Sequence, residues 1–198
     1  MTQFSCASKS RLRTLLRERR QQLDIRTRNS AALAACEHFT TLPAWLRALR
    51  IALYMPMDAE IDTAPLAARC RAAAKQLFLP VMGEDRRLDF AGWEEDTPLH
   101  RNGYGIAEPP ATAPRVEAGE LDIIVLPLVG WDRQGSRLGM GGGYYDRSLA
   151  GINGPLLAGL AYSVQEVPHI PWQEWDIPLD VVVTESGTYR GNRNRAAT

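Results

Sequence analysis

Apolar positions along the chain fall into two regimes. In the first forty residues they recur at helical spacing. Leu12, Leu15, Leu16 and Leu23 form one stripe, which predicts a helix over 8–28. An alanine-rich stretch follows and predicts a second helix, about 29–40, with Leu33, Cys36 and Phe39 facing inward. From residue 50 short apolar runs take over. Residues 51–55, 77–81, 121–126, 156–161 and 181–184 read as strands, and 88–93 as a weaker one. The run 121–126 is apolar nearly throughout, as a central parallel strand covered on both faces is. Asp62 or Thr63 can cap a helix with Pro65 in its first turn, reaching about Lys75, and another helix is expected over 142–149. Residues 102–105 read as a turn, and 107–118, with three prolines, as a loop rather than an element. Strands alternating with helices predict an α/β fold: three layers, a mainly parallel sheet with helices on both faces. A single domain over 1–198 is expected, with 187–198, polar and basic, as a flexible tail.

Composition narrows the class. Of 198 residues, 45% are apolar and 23% charged, the balance of a globular protein, and no run approaches the ~20 apolar residues of a membrane span. The first nine residues lack a secretory apolar region. Cys6, Cys36 and Cys70 are odd in number and widely spaced, so neither a disulfide framework nor a zinc site is expected, and a reducing cytoplasm is.

A net charge of zero hides a basic first segment. Lys9, Arg11, Arg13, Arg17, Arg19, Arg20, Arg26 and Arg28 face only Glu18 and Asp24 there, and Arg190, Arg193 and Arg195 follow near the other end. Such a segment is either a solvated helix face or a partner for anions. Lys9 and Arg13, at i and i+4, and Arg20 share one rim of the leucine stripe; Arg11 and Arg19 lie on other faces. Long cations at a rim bury their stems and can aim their heads at one anion. An RNA surface is disfavoured, because no aromatic platform interleaves these arginines.

The segment 132–147, DRQGSRLGMGGGYYDR, carries the chemistry. It follows a buried strand and opens a helix, the place where sheets of this class bind ligands. Four glycines in the five residues Gly139, Met140, Gly141, Gly142 and Gly143 let backbone N–H groups face a guest, and a helix N-terminus favours phosphate. The loop is neither a Walker A motif, lacking GK[ST], nor a dinucleotide fingerprint, because Tyr144 stands at the third glycine position. A structural tight turn remains the alternative for the loop alone. Arg137 offers a planar fork for phosphate, and Asp146 is a hard oxygen ligand where a nucleotide-bound magnesium would sit, or else a charge favoured at the helix start. Tyr144 and Tyr145 supply stacking faces and hydroxyls, or ordinary helix packing.

At this point the chain resembles the 5-formyltetrahydrofolate cyclo-ligases, also called methenyltetrahydrofolate synthetases. The likeness covers nearly the whole chain. It runs through Lys9-x-x-x-Arg13, Tyr54-Met55-Pro56 with Glu60-Ile61-Asp62-Thr63, Asn102-Gly103-Tyr104-Gly105-Ile106-x-Glu108-Pro109, and Asp122 to Pro127. The most specific piece is Gly135-x-Arg137-Leu138-Gly139-x-Gly141-x-Gly143-Tyr144-Tyr145-Asp146, and Pro178-Leu179-Asp180 through Val183-Thr184 closes the match.

The resemblance implies a three-layer fold of the NagB/RpiA/CoA-transferase-like kind, a monomer, and small-molecule partners: ATP as co-substrate and 5-formyltetrahydrofolate, with or without a polyglutamate tail. Neither membrane nor nucleic acid is an expected partner. Lys9 and Arg13 would hold ATP phosphates, with Arg137, Leu138, Gly139, Met140, Gly141, Gly142, Gly143, Tyr144 and Tyr145 as the main nucleotide site. Met55 and Glu60 would contact the folate, with Tyr104 and Tyr144 near its pterin, and Asp146 and Asp180 would bind Mg2+. The family reaction passes the γ-phosphoryl of ATP to the formyl oxygen before N10 closes the ring, so no acid, base or nucleophile is assigned, and His38, His100 and His169 are expected to be structural. One departure stands out: many family members carry lysine where this chain has Gly142, and often a basic residue where it has Met140. It motivates the alternative of a non-catalytic folate- or nucleotide-binding regulator.

Overall fold

The computed structural model describes residues 6–193. Five helices run in chain order: α1 (Cys6–Gln21), α2 (Ile25–Thr40), α3 (Pro43–Arg47), α4 (Ala64–Ala72) and α5 (Tyr144–Leu149). The strands are β1 (Arg50–Ala52), β2 (Gln76–Met82), β3 (Leu88–Gly92), β4 (His100–Arg101), β5 (Ala107–Glu108), β6 (Arg115–Val116), β7 (Ile123–Pro127), β8 (Gly130–Trp131), β9 (Arg137–Leu138), β10 (Leu156–Leu160), β11 (Val181–Thr184) and β12 (Gly187–Arg190). Eight strands make one sheet in the order β12-β11-β10-β7-β1-β2-β3-β6. The five in the middle are parallel; β12 pairs antiparallel with β11 on one side, and on the other β3 pairs antiparallel with both β2 and β6. β4–β5 and β8–β9 form separate hairpins.

Alternating side chains of the central strands feed two cores. Ile51, Leu77, Ile123, Val125 and Val183 face α2, α3 and α4, whereas Ala52, Phe78, Ile124, Leu126 and Val182 face α5, the short turn Ala118–Glu120 and Trp131. Helices thus cover both faces, as expected, but unequally: the second face is closed mostly by loops. A third, small cluster attaches α1, whose Leu16 and Leu12 pack on Val129, Leu138, Val167 and Ile170. Burying Leu16 and part of Leu12 contributes roughly 2–5 kcal/mol, which is modest for a 16-residue helix. Among the described residues no helix is long and apolar enough to cross a membrane.

Several expectations change. The single helix over 8–28 is two helices, because the Asp24 carboxylate accepts the Thr27 N–H at 2.8 Å and starts α2 at Ile25, before residue 29. Leu15 and Leu33 are 44% and 58% exposed, since α2 packs through its alanines, Cys36 and Phe39, and α1 turns Leu16 inward instead. The stretch 107–118 contains β5 and β6, and the stretch from Gly187, expected as a tail, pairs as β12 with Val182 opposite Tyr189. Beyond it Arg193 donates to Asp180 at 2.9 Å and to the Pro155 carbonyl at 2.8 Å. Residues 194–198 of that expected tail, Arg195 included, lie outside the described residues.

Candidate active site

The carboxyl ends of the parallel strands open onto a cavity of about 1220 Å³. β1 leads into Tyr54 and Met55, β2 ends at Met82 and β7 at Pro127, and all four residues line it. Here the strand backbones have run out of ladder partners, so the crevice is where the fold leaves room for a guest.

One wall is the glycine segment between β9 and α5. Gly141 and Gly143 take φ of +99° and +70°, a region that penalises any other L-residue. A Cβ on Gly141 would sit 3.4 Å from the Arg13 guanidinium carbon, so the glycine lets α1 lay a cation flat on the loop. Arg13 Nε donates to the Gly139 carbonyl at 2.8 Å, and Arg147 to the Gly142 carbonyl at 2.7 Å. The Tyr144 ring lies 2.9 Å from where a Cβ on Gly142 would be. It fills the place from which a lysine side chain would start. Leu138 is buried in the α1 seam, and Met140 is 57% exposed. α5 has only six residues rather than the eight expected over 142–149, so its dipole is short, and the positive field of this wall comes from Arg13, Arg137 and Arg147.

Arg137 reaches along the same wall to Asp146, Nη2 to Oδ1 at 2.5 Å, and its other amine donates to the Ile177 carbonyl. The Ile177 N–H returns a bond to Asp146 Oδ1 at 3.1 Å. Lys9 is not a snorkelling rim residue but 7% exposed, with Nζ 2.5 Å from Asp176 Oδ2 and 3.3 Å from Gln173 Oε1. The segment 173–177 therefore lines the cavity beside both cations. Nothing in its sequence announced this, since Gln173 and Asp176 belong to no spaced motif and meet Lys9 only through tertiary folding.

The opposite wall is a strained turn. Asp58 and Ala59 take φ of +47° and +61°, two consecutive left-handed non-glycine residues. The turn aims Asp58 at α1 and Glu60 into the cavity. Arg20, expected along the rim, is 0% exposed: it donates to Asp58 at 3.0 Å and to the Leu128 carbonyl at 3.2 Å, its Nε has no partner among the described residues, and it stands 3.9 Å from Glu60. Burial pushes the Glu60 carboxyl up to about 7, against the Met57 N–H and Arg20, which favour its charged form, and with Asp58 adding repulsion. Burial also raises the hydroxyls of Tyr54 and Tyr145, and Glu60 raises both further.

Two expected residues stand apart. Tyr104 does not line the cavity; it is 65% exposed on the turn between β4 and β5, and its hydroxyl lies 3.4 Å from that of Tyr144, the rings edge to face. Asp180 is not brought to the site: it precedes β11 at the amino ends of the strands, where it accepts the Leu157 N–H at 2.8 Å and the Arg193 guanidinium. None of the three histidines lines the cavity; His38 pairs with the Thr184 carbonyl at 2.9 Å. Cys36 and Cys70 are buried free thiols, the latter pushed up to about 12 by burial.

The profile of the 5-formyltetrahydrofolate cyclo-ligase family matches residues 5–185. A 5-formyltetrahydrofolate cyclo-ligase of Haemophilus influenzae is 36% identical over 181 residues, 88% of this chain and 97% of that protein. Its counterpart in Escherichia coli K12 is 34% identical over 177 residues, 87% and 97% of the two chains. Among solved structures, a 5,10-methenyltetrahydrofolate synthetase of Aquifex aeolicus superposes with a TM-score of 0.81 at 35% identity, covering 92% of each chain. One from Mycoplasma pneumoniae, at 23% identity and a TM-score of 0.73 over 89% of this chain and 98% of that one, shares the fold.

Proposed function

The chain belongs to the 5-formyltetrahydrofolate cyclo-ligase family, and from that premise we propose that it closes 5-formyltetrahydrofolate to 5,10-methenyltetrahydrofolate, driven by conversion of ATP to ADP and phosphate. The observation that carries the reading is the glycine loop of residues 139–143, ringed by Arg13, Arg137 and Arg147 on one wall of a cavity whose other wall holds Met55 and Glu60. The volume of about 1220 Å³ exceeds the usual range for one drug-sized ligand and suits two substrates side by side.

In this reading Lys9, Arg13, Arg137 and the loop backbone bind the phosphates, and Met55, Glu60, Tyr144 and, at the mouth, Tyr104 hold the folate. The γ-phosphoryl passes to the formyl oxygen, making the formyl carbon electrophilic. N10 bonds to that carbon and loses its proton, the C–O bond breaks, and phosphate leaves. The protein's part is alignment and charge neutralisation: the arginines compensate negative charge on the transferring group, and the cavity brings formyl oxygen and γ-phosphate into line. Arg13 and Arg147, both bonded to the loop, supply the positive charge that the departure at Gly142 removes.

Among the described residues no three acidic, histidine or cysteine side chains gather as a metal cage. Asp146 fits a different need. Its Oδ1 is taken by Arg137 and Ile177, Oδ2 has no hydrogen bond among the described residues, and Asp146 lines the cavity. One carboxylate suits Mg2+, which takes most of its ligands from phosphates and water. Asp146 would hold the ion, which would supply positive charge to offset that of the phosphates.

The test is to incubate the protein with 5-formyltetrahydrofolate, ATP and Mg2+ and follow the absorbance of the methenyl product. Product is expected only with all three present. Binding of both ligands without turnover would replace this reading with that of a non-catalytic regulator.

A further inference from the structure

The turn of residues 172–177 belongs to neither the glycine loop nor α1, yet it touches the cations of both. Asp176 is fixed by its own turn: Oδ2 accepts the Gln173 N–H at 2.8 Å, its N–H donates to the Gln173 carbonyl at 2.9 Å, and the Trp172 indole donates to its carbonyl at 3.3 Å. Onto this carboxylate comes Lys9, its side chain 9% exposed and that of Asp176 18%. An ammonium so nearly removed from water holds its place only where an anion and a further acceptor meet it. Asp176 and Gln173 are those groups, and among the described residues they use two of the three N–H bonds of Lys9. The third is left for the cavity. The next residue, Ile177, is bonded through its carbonyl to Arg137 and through its N–H to Asp146.

We infer that Asp176 is a positioning residue for ATP: it aims Lys9 at the nucleotide phosphates and, through the backbone of Ile177, sets Lys9 in register with the Arg137–Asp146 pair. This rests on the nucleotide reading above. A positioning role differs from a structural one in what it disturbs. A misplaced Lys9 weakens ATP and leaves the folate wall, which is built on β1 and the turn of residues 57–60, as it was.

The experiment is a double-mutant cycle, with ATP and folate KM and kcat measured for the wild type, Lys9→Ala, Asp176→Asn and the double variant. Asp176→Asn is expected to raise the ATP KM about tenfold, the scale of one charge-assisted hydrogen bond, with the folate KM within about twofold. The double variant is expected to match Lys9→Ala, because Asp176 acts through that lysine. Multiplying effects, an unchanged ATP KM in Asp176→Asn, or a parallel rise in both KM values would overturn the inference. Should Asp176→Asn not fold, Gln173→Ala removes the second acceptor and keeps the carboxylate. It is expected to raise the ATP KM about threefold in the wild type and not in the Lys9→Ala background, and no change in either would overturn the inference equally. A wild type that turns over without ATP sinks the nucleotide reading itself. If Lys9→Ala raises the ATP KM and Asp176→Asn does not, that reading stands and only the role of Asp176 falls.

Discussion

Arg137 and Asp146 meet at 2.5 Å across the glycine loop, so the residue that enters the loop and the helix that leaves it are tied side chain to side chain. Asp146 anchors Arg137 through one oxygen, and in the function proposed above the same carboxylate also holds Mg2+. Asp146→Asn keeps the shape and weakens both. The half-saturating Mg2+ concentration is expected to rise about tenfold to a hundredfold, with the melting temperature lowered by only a few degrees. Titration of activity against Mg2+ checks this; a variant that saturates like the wild type leaves Asp146 as a partner of Arg137 alone.

Lys9 and Arg13 lie one helical turn apart, and both line the cavity, whereas Arg11 and Arg19 are exposed elsewhere on α1. Changing the first pair to alanine is expected to raise the ATP constant by about a hundredfold or more, from two lost charge-assisted contacts. Changing Arg11 and Arg19 is expected to do little, and that little should vanish at high salt, which screens exposed charges beyond a Debye length. Equal losses in the two double variants would reduce α1 to a source of general positive potential.

Glu60 links site and stability through pH. Its carboxyl is raised from 4.5 to about 7, so the fold favours the protonated form. The contribution to stability is complete below about pH 4.5 and is lost as pH rises through about 7. Glu60→Gln is uncharged throughout, so above pH 7 the variant is expected to exceed the wild type by up to roughly 3 kcal/mol, and below pH 4.5 to lose that advantage. Urea unfolding at pH 4.5 and 8 measures it, and equal pH slopes would count against a buried Glu60. The same variant is expected to weaken folate and leave the ATP constant within about twofold.

Gly191 follows β12 and packs on the strand-entry side of the fold. A Cβ there would stand 2.0 Å from the Leu179 carbonyl oxygen, which is backbone and cannot swing away. Gly191→Ala is expected to cost about 1–3 kcal/mol by forcing the two segments apart. Because the cavity opens at the other ends of the strands, the ATP and folate constants should not move. Thermal melts with kinetics at low temperature separate the two effects.

The strands and the glycine loop were legible because their signals are local. An apolar run such as 123–127 has no other good environment, and glycines at φ > 0 can be guessed from their spacing. The helix boundary at Asp24 is equally local, but the leucine stripe reaches Leu23 next to it and masks the N-cap. The tail strand was not legible: Gly187–Arg190 offers a single ring, Tyr189, to the core, and its pairing with the apolar Val181–Thr184 is what makes it a strand. Asp176 was invisible for a related reason. A lone aspartate gains meaning only when a lysine from the far end of the chain is brought to it. Asp180 misled because a motif reports which residues recur, not which end of the sheet they occupy.

The small cluster that seats α1 also sets an order of events in synthesis. Leu12 and Leu16 are made before their partners Val129, Leu138, Val167 and Ile170, which come more than a hundred residues later, and Lys9 precedes Asp176 by 167 residues. At translation rates of roughly 5–20 residues per second, the first helix waits about 8–35 s for the surface it will cover. During that interval β1, β2, β7 and β10 can pair without it, since α1 contributes to neither large core. The helix that brings the basic residues to the cavity thus leaves the ribosome well before the surface on which it docks.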